Sequence, residues 1–291
     1  MSSIPVEEIM RIGGFVAGTL THTREGLQPI EQIKVGDYVL SKPESGVGEP
    51  SYQRVAQTFE YEDRAVFLVS WSILDSPFPW PEQEPAFFVV TGAHPIWVTR
   101  LVDRDDNSVR EVNAWMSIEE FYNINFEFNV VQNKAGVDAD VELHDGRAAQ
   151  LGSVKPLLQS RDPNIGVGFK ESAYWGENCS GPEVRFLTDG PAVAKQSNGL
   201  FAEVGLDVHD AIAYDHYPER SLIRRSEGYL PMQRKVFNIE VDTNHTYFVG
   251  KTGILVHNTS GIVPDSVYAL RANQPLHPIL GSGASRRPSA G

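Results

Sequence analysis

Thr246-Tyr247-Phe248-Val249 and Gly253-Ile254-Leu255-Val256 are two short runs of β-branched and aromatic residues joined by Gly250-Lys251-Thr252, and the second leads straight into His257-Asn258-Thr259. Runs of this kind around a glycine-bounded connection read as a β-hairpin. Just upstream, Lys235 to Val241 alternates as a strand does. Working outward, Phe15 to Thr23 is rich in β-branched residues, Arg24-Glu25-Gly26 is a turn, and Lys34 to Lys42 is a second strand candidate. Val66 to Trp71 and Pro85 to Val90 are further strands, separated by Pro77-Phe78-Pro79-Trp80-Pro81, a stiff loop whose prolines cannot donate to a ladder. Pro29 to Ile33 leaves room for one helical turn, and Val6 to Met10 for another. Ser117-Ile118-Glu119-Glu120 is a capping box that predicts a short helix. Between Val131 and Arg234 the pattern loosens into short strand-like runs, Gly166 to Phe169 and Val184 to Leu187 among them.

Composition agrees with an all-β chain of many turns: 25 Gly and 19 Pro in 291 residues, with 41 % hydrophobic residues, enough to bury a core without staples. Lys and Arg number 25 against 38 Asp and Glu, a net charge of −13, and there is no basic stripe, so a nucleic-acid partner is not expected. The single cysteine, Cys179, excludes an intrachain disulfide framework and a cysteine-based zinc cluster. No window approaches a membrane span, and the start of the chain is acidic where a secretory signal is basic. The expectation is a soluble protein with no membrane partner, cytoplasmic before any export.

The chemistry-bearing stretch is His257-Asn258-Thr259. An Asn side-chain nitrogen can attack its own backbone carbonyl, closing a succinimide and breaking the following peptide bond, an intramolecular reaction with orientation largely built in. It needs a proton donor for the leaving amine and polarisation of the carbonyl, which an adjacent imidazole supplies near neutral pH. His257 is adjacent, and His245 lies one hairpin upstream. The alternative is a hairpin end carrying a surface histidine.

Four blocks then occur in order: Gly14-Phe15-Val16-Ala17-Gly18-Thr19-Leu20 with Val35-Gly36-Asp37-Tyr38-Val39-Leu40; Thr91-Gly92-Ala93-His94-Pro95-Ile96-Trp97-Val98; Val236 to Val241; and His245 to Asn258. Together they resemble the blocks of Hint (Hedgehog/intein) domains, with the bacterial pretoxin-type branch the nearest in pattern. The resemblance implies an all-β, horseshoe-like fold with pseudo-twofold symmetry. It divides the chain into a lead over 1–13, a Hint domain over 14–258 with an insertion over about 131–234, and a C-terminal tail over 259–291. It also implies that Thr91 and His94 activate the upstream bond, while His245 and His257 assist cyclisation of Asn258. The chain would act on itself, with no cofactor or metal, and toxin or secretion modules could flank it.

Two positions depart from the family. A nucleophilic cysteine stands at the first position of its domains, and here there is Gly14, which has no side chain for an acyl shift. Position 238, Asp in many inteins, is Asn. The expected activity is therefore single-turnover cleavage after Asn258, with the N-terminal cleavage disabled. The alternatives are a degenerate, non-cleaving domain kept as a folded spacer or interaction module of a polymorphic-toxin or secreted modular protein, and direct attack of the Thr259 hydroxyl on the Gly13 carbonyl, which would join the flanks. Thr91 and His94 can also be read as buried groups that bond neighbouring strands. Cys179 as a nucleophile is a weaker candidate, because a lone Cys is far more often a small packing residue or an exposed bystander, and so are His209-Asp210 with Asp215-His216 as metal ligands, because their spacing alone fixes no geometry.

Overall fold

A computed structural model describes residues 12–74, 86–132, 134–168, 183–186, 192–195, 201–203, 224–225 and 228–258. The elements begin with β1 (Leu20–Thr23), β2 (Gly26–Pro29), a 3-10 turn (Ile30–Gln32), β3 (Tyr38–Ser41), β4 (Ser51–Ile73), β5 (Ala86–Thr91), β6 (Pro95–Asp103) and β7 (Val109–Ser117). Helix α1 (Ile118–Phe126) follows, then β8 (Val137–Glu142), β9 (Ala148–Gln159), β10 (Ile165–Gly168), β11 (Glu183–Phe186), β12 (Ala192–Lys195) and β13 (Phe201–Glu203). The chain closes with β14 (Arg224–Arg225), β15 (Gly228–Tyr229), β16 (Gln233–Val241), β17 (Thr246–Val249) and β18 (Ile254–His257). Every pairing is antiparallel, and all strands except the β14–β15 pair belong to one 16-stranded sheet. The fold is all-β with a single α-helix among the described residues, as the turn-rich sequence predicts. The lead's Val6 to Met10, the Pro77 to Pro81 loop and the tail after Asn258 lie outside the described residues.

Three features position the functional stretches. The 23 residues of β4 pair in succession with β3, β16 and β5, and also with β9, so one strand stitches distant parts of the chain together. Within the range expected as an insertion, β8 pairs with β6 and β9 with β4. The final hairpin, β17–β18, lies inside the sheet: Thr21 of β1 faces Val249, and Ile96 of β6 faces Val256. All four residues of each hairpin strand are buried, unlike an edge hairpin with one wet face.

The segment before β1 threads between two strands. Phe15 exchanges both backbone hydrogen bonds with Phe237 of β16, at 2.9 and 2.7 Å, and Val16 N donates to Val89 O of β5 at 3.1 Å. The Phe15 ring is fully buried in the main core beside Phe88, Trp71 and Tyr247. Helix α1 begins where the capping box predicts: Ser117 Oγ accepts the Glu120 N–H at 3.1 Å. Its first turn also holds the β5–β6 corner, since Ile118 N donates to His94 O at 3.2 Å and Glu119 N to Gly92 O at 2.8 Å.

Candidate functional site

At the downstream end, cross-strand pairing of Thr246 with His257 carries Asn258 just past the end of β18. The Asn258 N–H donates to His245 O at 2.9 Å, so the last residue of the hairpin is still held by the ladder. His257 and Asn258 are both buried. His257 Nδ1 makes a short contact with Asn258 O, the carbonyl of the bond to Thr259, while Nε2 lies 2.8 Å from Glu44 Oε1. The Trp115 indole packs edge-on against this imidazole, with ring centroids 5.0 Å apart. Asn258 Nδ2 is buried with no hydrogen-bond partner among the described residues. A buried amide left unpaired costs stability, and a catalytic role is one reason such a group persists.

His245 takes a different direction. Its backbone has a φ of 55°, in the left-handed region, and its half-exposed ring sends Nδ1 to Glu240 Oε1 at 2.7 Å. No hydrogen bond joins that ring to the Asn258 amide; the link between the two residues is the backbone bond.

At the upstream end, Gly13 and Gly14 are buried, and their peptide bond is gripped from both sides. Asn238 Nδ2 donates to Gly13 O at 3.2 Å, and the Gly14 N–H donates to Thr91 Oγ1 at 3.0 Å. The orientation of Asn238 follows from its partners: its Oδ1 accepts from Tyr247 OH at 2.7 Å and from the Ile239 N–H at 2.9 Å, so the amide NH2 must face Gly13. Asn238 therefore takes part in the site as a donor without an ionisable group.

His94 joins the two ends. It is fully buried, its ring lies 4.4 Å from that of Phe15 and 6.4 Å from that of Tyr247, and neither ring nitrogen has a partner among the described residues. Burial, reinforced by the charge of nearby His257, pushes its pKa down to about 3, so the ring is neutral at physiological pH. Val256 pairs with Ile96, so the strand carrying Asn258 runs alongside the one that begins just after His94.

The structure thus brings Thr91, His94, His257 and Asn258 to one buried region with the Gly13–Gly14 bond, and turns the His245 ring outward. Thr259, Cys179, His209-Asp210 and Asp215-His216 lie outside the described residues. Among the described residues no group of three or more His, Cys, Asp or Glu is placed to hold a metal, and no helix is long and apolar enough to cross a membrane. Sequence reasoning missed Glu44 and Tyr247 as members of the site. Glu44 is 213 residues from His257 and lies in a polar turn with no motif of its own.

No family model and no curated protein matches the chain. Among solved structures it is similar to a bacterial intein-like domain from Clostridium thermocellum, at 19 % identity over 84 % of this chain and 98 % of that one, with a TM-score of 0.38. It is also similar to the gp41-1 intein, at 12 % identity, 84 % and 98 % coverage and a TM-score of 0.37. A DnaB intein from Synechocystis sp. PCC 6803 matches at 8 % identity, 84 % and 98 % coverage and a TM-score of 0.40. These are inteins and an intein-like domain.

Proposed function

We propose that the chain is a self-processing domain that cleaves its own backbone once, after Asn258. The observation that carries this reading is the state of Asn258: its side-chain amide is buried and has no hydrogen-bond partner among the described residues, while its backbone carbonyl is in contact with His257 Nδ1. In the reaction, Asn258 Nδ2 attacks the Asn258 carbonyl carbon and the carbon–nitrogen bond to Thr259 breaks; the leaving nitrogen takes a proton from His257, and the proton shed by Nδ2 passes to the His257 ring in its place, so the imidazole ends as it began. The products are a chain ending in a succinimide and a free amine at Thr259, with no external reagent consumed. His257 polarises the carbonyl and then acts as the acid. His245 contributes through its backbone carbonyl, which fixes the Asn258 N–H and with it the direction of the side chain.

The upstream bond stays closed in this reading. Asn238 and Thr91 grip the Gly13–Gly14 peptide, which is the arrangement an acyl shift would use, yet Gly14 offers no nucleophile. Intact mass is the decisive measurement. Purified protein is expected to lose residues 259–291 over time, and Asn258→Ala is expected to stay full length. A folded wild-type chain that remains intact on long incubation overturns the proposal in favour of a non-cleaving spacer.

A further inference from the structure

The two contacts of the His257 ring carry one more step. Nδ1 faces the Asn258 carbonyl oxygen and Nε2 faces a Glu44 carboxylate oxygen at 2.8 Å. Both oxygens are acceptors only, so both bonds exist together only when each ring nitrogen carries a proton. A neutral ring can donate to one of them and must turn a lone pair toward the other. We infer that Glu44 is a positioning residue for the cleavage proposed above: its carboxylate holds His257 doubly protonated, with Nδ1–H on the scissile carbonyl.

Glu44 is held in place by built structure. It follows Pro43 in a turn closed by Gly46 N donating to Pro43 O at 2.8 Å, and its backbone oxygen accepts from Trp115 Nε1 at 3.0 Å. Gly46 has a φ of +71°, and a Cβ there would come within 2.2 Å of the Trp97 ring, so only glycine lets the turn lie this close. On its other side the loop is tied to the hairpin: Thr246, the cross-strand partner of His257, takes the Lys42 N–H at 3.2 Å and bonds Ser41 Oγ at 3.0 Å. Among the described residues, the titratable groups that face His257 are Glu44, from the β3–β4 loop, and His94, from the β5–β6 corner. His94 is held neutral, and Trp115 and Thr246 add no charge, which leaves Glu44 as the counter-charge to the imidazolium.

This inference rests on the self-cleavage reading, but its test does not depend on cleavage alone. The first-order rate of release of 259–291 is measured across the neutral pH range for wild type, Glu44→Gln and Glu44→Asp, with the unfolding midpoint of each as a control. Glu44→Gln is expected to slow release by at least about ten-fold, since positioned acid–base groups contribute ~10² to 10⁴-fold, and to bring the alkaline fall-off in rate to lower pH. Glu44→Asp is expected to recover part of the rate. Equal rates and pH profiles for wild type and Glu44→Gln overturn the inference while leaving the cleavage intact. In parallel, nitrogen NMR of the His257 ring is recorded in Asn258→Ala protein, which cannot cyclise. Two protonated ring nitrogens at neutral pH, reduced to one by Glu44→Gln, support the inference even if the wild-type chain proves inert. A singly protonated ring with Glu44 in place overturns it whatever the cleavage assay gives.

Discussion

At position 14 the space for a side chain is already taken. An ideal Cβ there would lie 2.8 Å from Val236 Cγ2 and 3.1 Å from Phe237 O, the oxygen that accepts from the Phe15 N–H. Restoring a thiol beside Thr91 by Gly14→Cys therefore overpacks a buried junction, at a cost of about 1 to 3 kcal/mol. The expected outcome is a lower denaturation midpoint for Gly14→Cys and thiol-induced cleavage after Gly13 only when Val236→Ala is added to make room, read by intact mass. A single Gly14→Cys variant as stable as its parent would refute the packing argument. The two histidines near Asn258 part company on the same scale. His257→Ala removes the acid and is expected to slow release of 259–291 by ~10² to 10⁴-fold. His245→Ala keeps the backbone bond to Asn258 and is expected to leave the rate within the same order of magnitude, since its ring faces Glu240. A large loss in His245→Ala would mean that the ring turns inward during the reaction.

The element that matters most is the β17–β18 hairpin, because its register decides where Asn258 stands. Its connection is held from outside by side chains far away in sequence. Trp71 Nε1 donates to Thr252 Oγ1 at 3.0 Å, His22 Nε2 meets Gly250 O at 2.8 Å, and His144 Nδ1 meets Thr252 O at 2.8 Å. Gly250 and Gly253 have φ of 76° and 74°, and a Cβ on Gly253 would lie 2.6 Å from His144 Nδ1. Gly253→Ala combines a left-handed backbone with a clash against that imidazole, and it is expected to destabilise by more than about 1 kcal/mol and to slow release by disturbing the hairpin. Gly152→Ala, in β9 with open space around its Cβ, is the matched control and is expected to do neither. Denaturant unfolding and the release assay, run on both variants, check this.

Acid stability belongs to the whole molecule, because the group that governs it, His94, is fully buried between Phe15 before β1 and Tyr247 of β17. His94 stays neutral in the folded state down to about pH 3, whereas the unfolded chain protonates it near its ordinary value of 6.5. The unfolded state therefore binds the extra proton in that window: the stabilisation is complete above pH 6.5 and is lost progressively as pH falls toward 3. His22, lowered chiefly by burial and further by His144 against the hydrogen bond to Gly250 that raises it, acts with the same sign. Stability measured by denaturant titration is expected to fall below pH 6.5, and His94→Gln is expected to flatten that fall. An unchanged slope would show that other groups set it. Much of this architecture was legible in advance. The alternation of Lys235 to Val241, the hairpin runs, the capping box at Ser117 and the residue types around Asn258 all follow from local burial and local hydrogen bonding, which leave a short-range imprint on sequence. The first half of β4 left none: Ser51 to Glu62 is mostly exposed or half-exposed, so it carries no apolar alternation although it pairs along most of its length. Nor did composition or spacing reveal Glu44, the outward turn of the His245 ring, or the Val236 methyl that fills the space at Gly14. Each of these depends on contacts between residues brought together by strand pairing across the sheet, and such contacts impose no period on the chain that makes them.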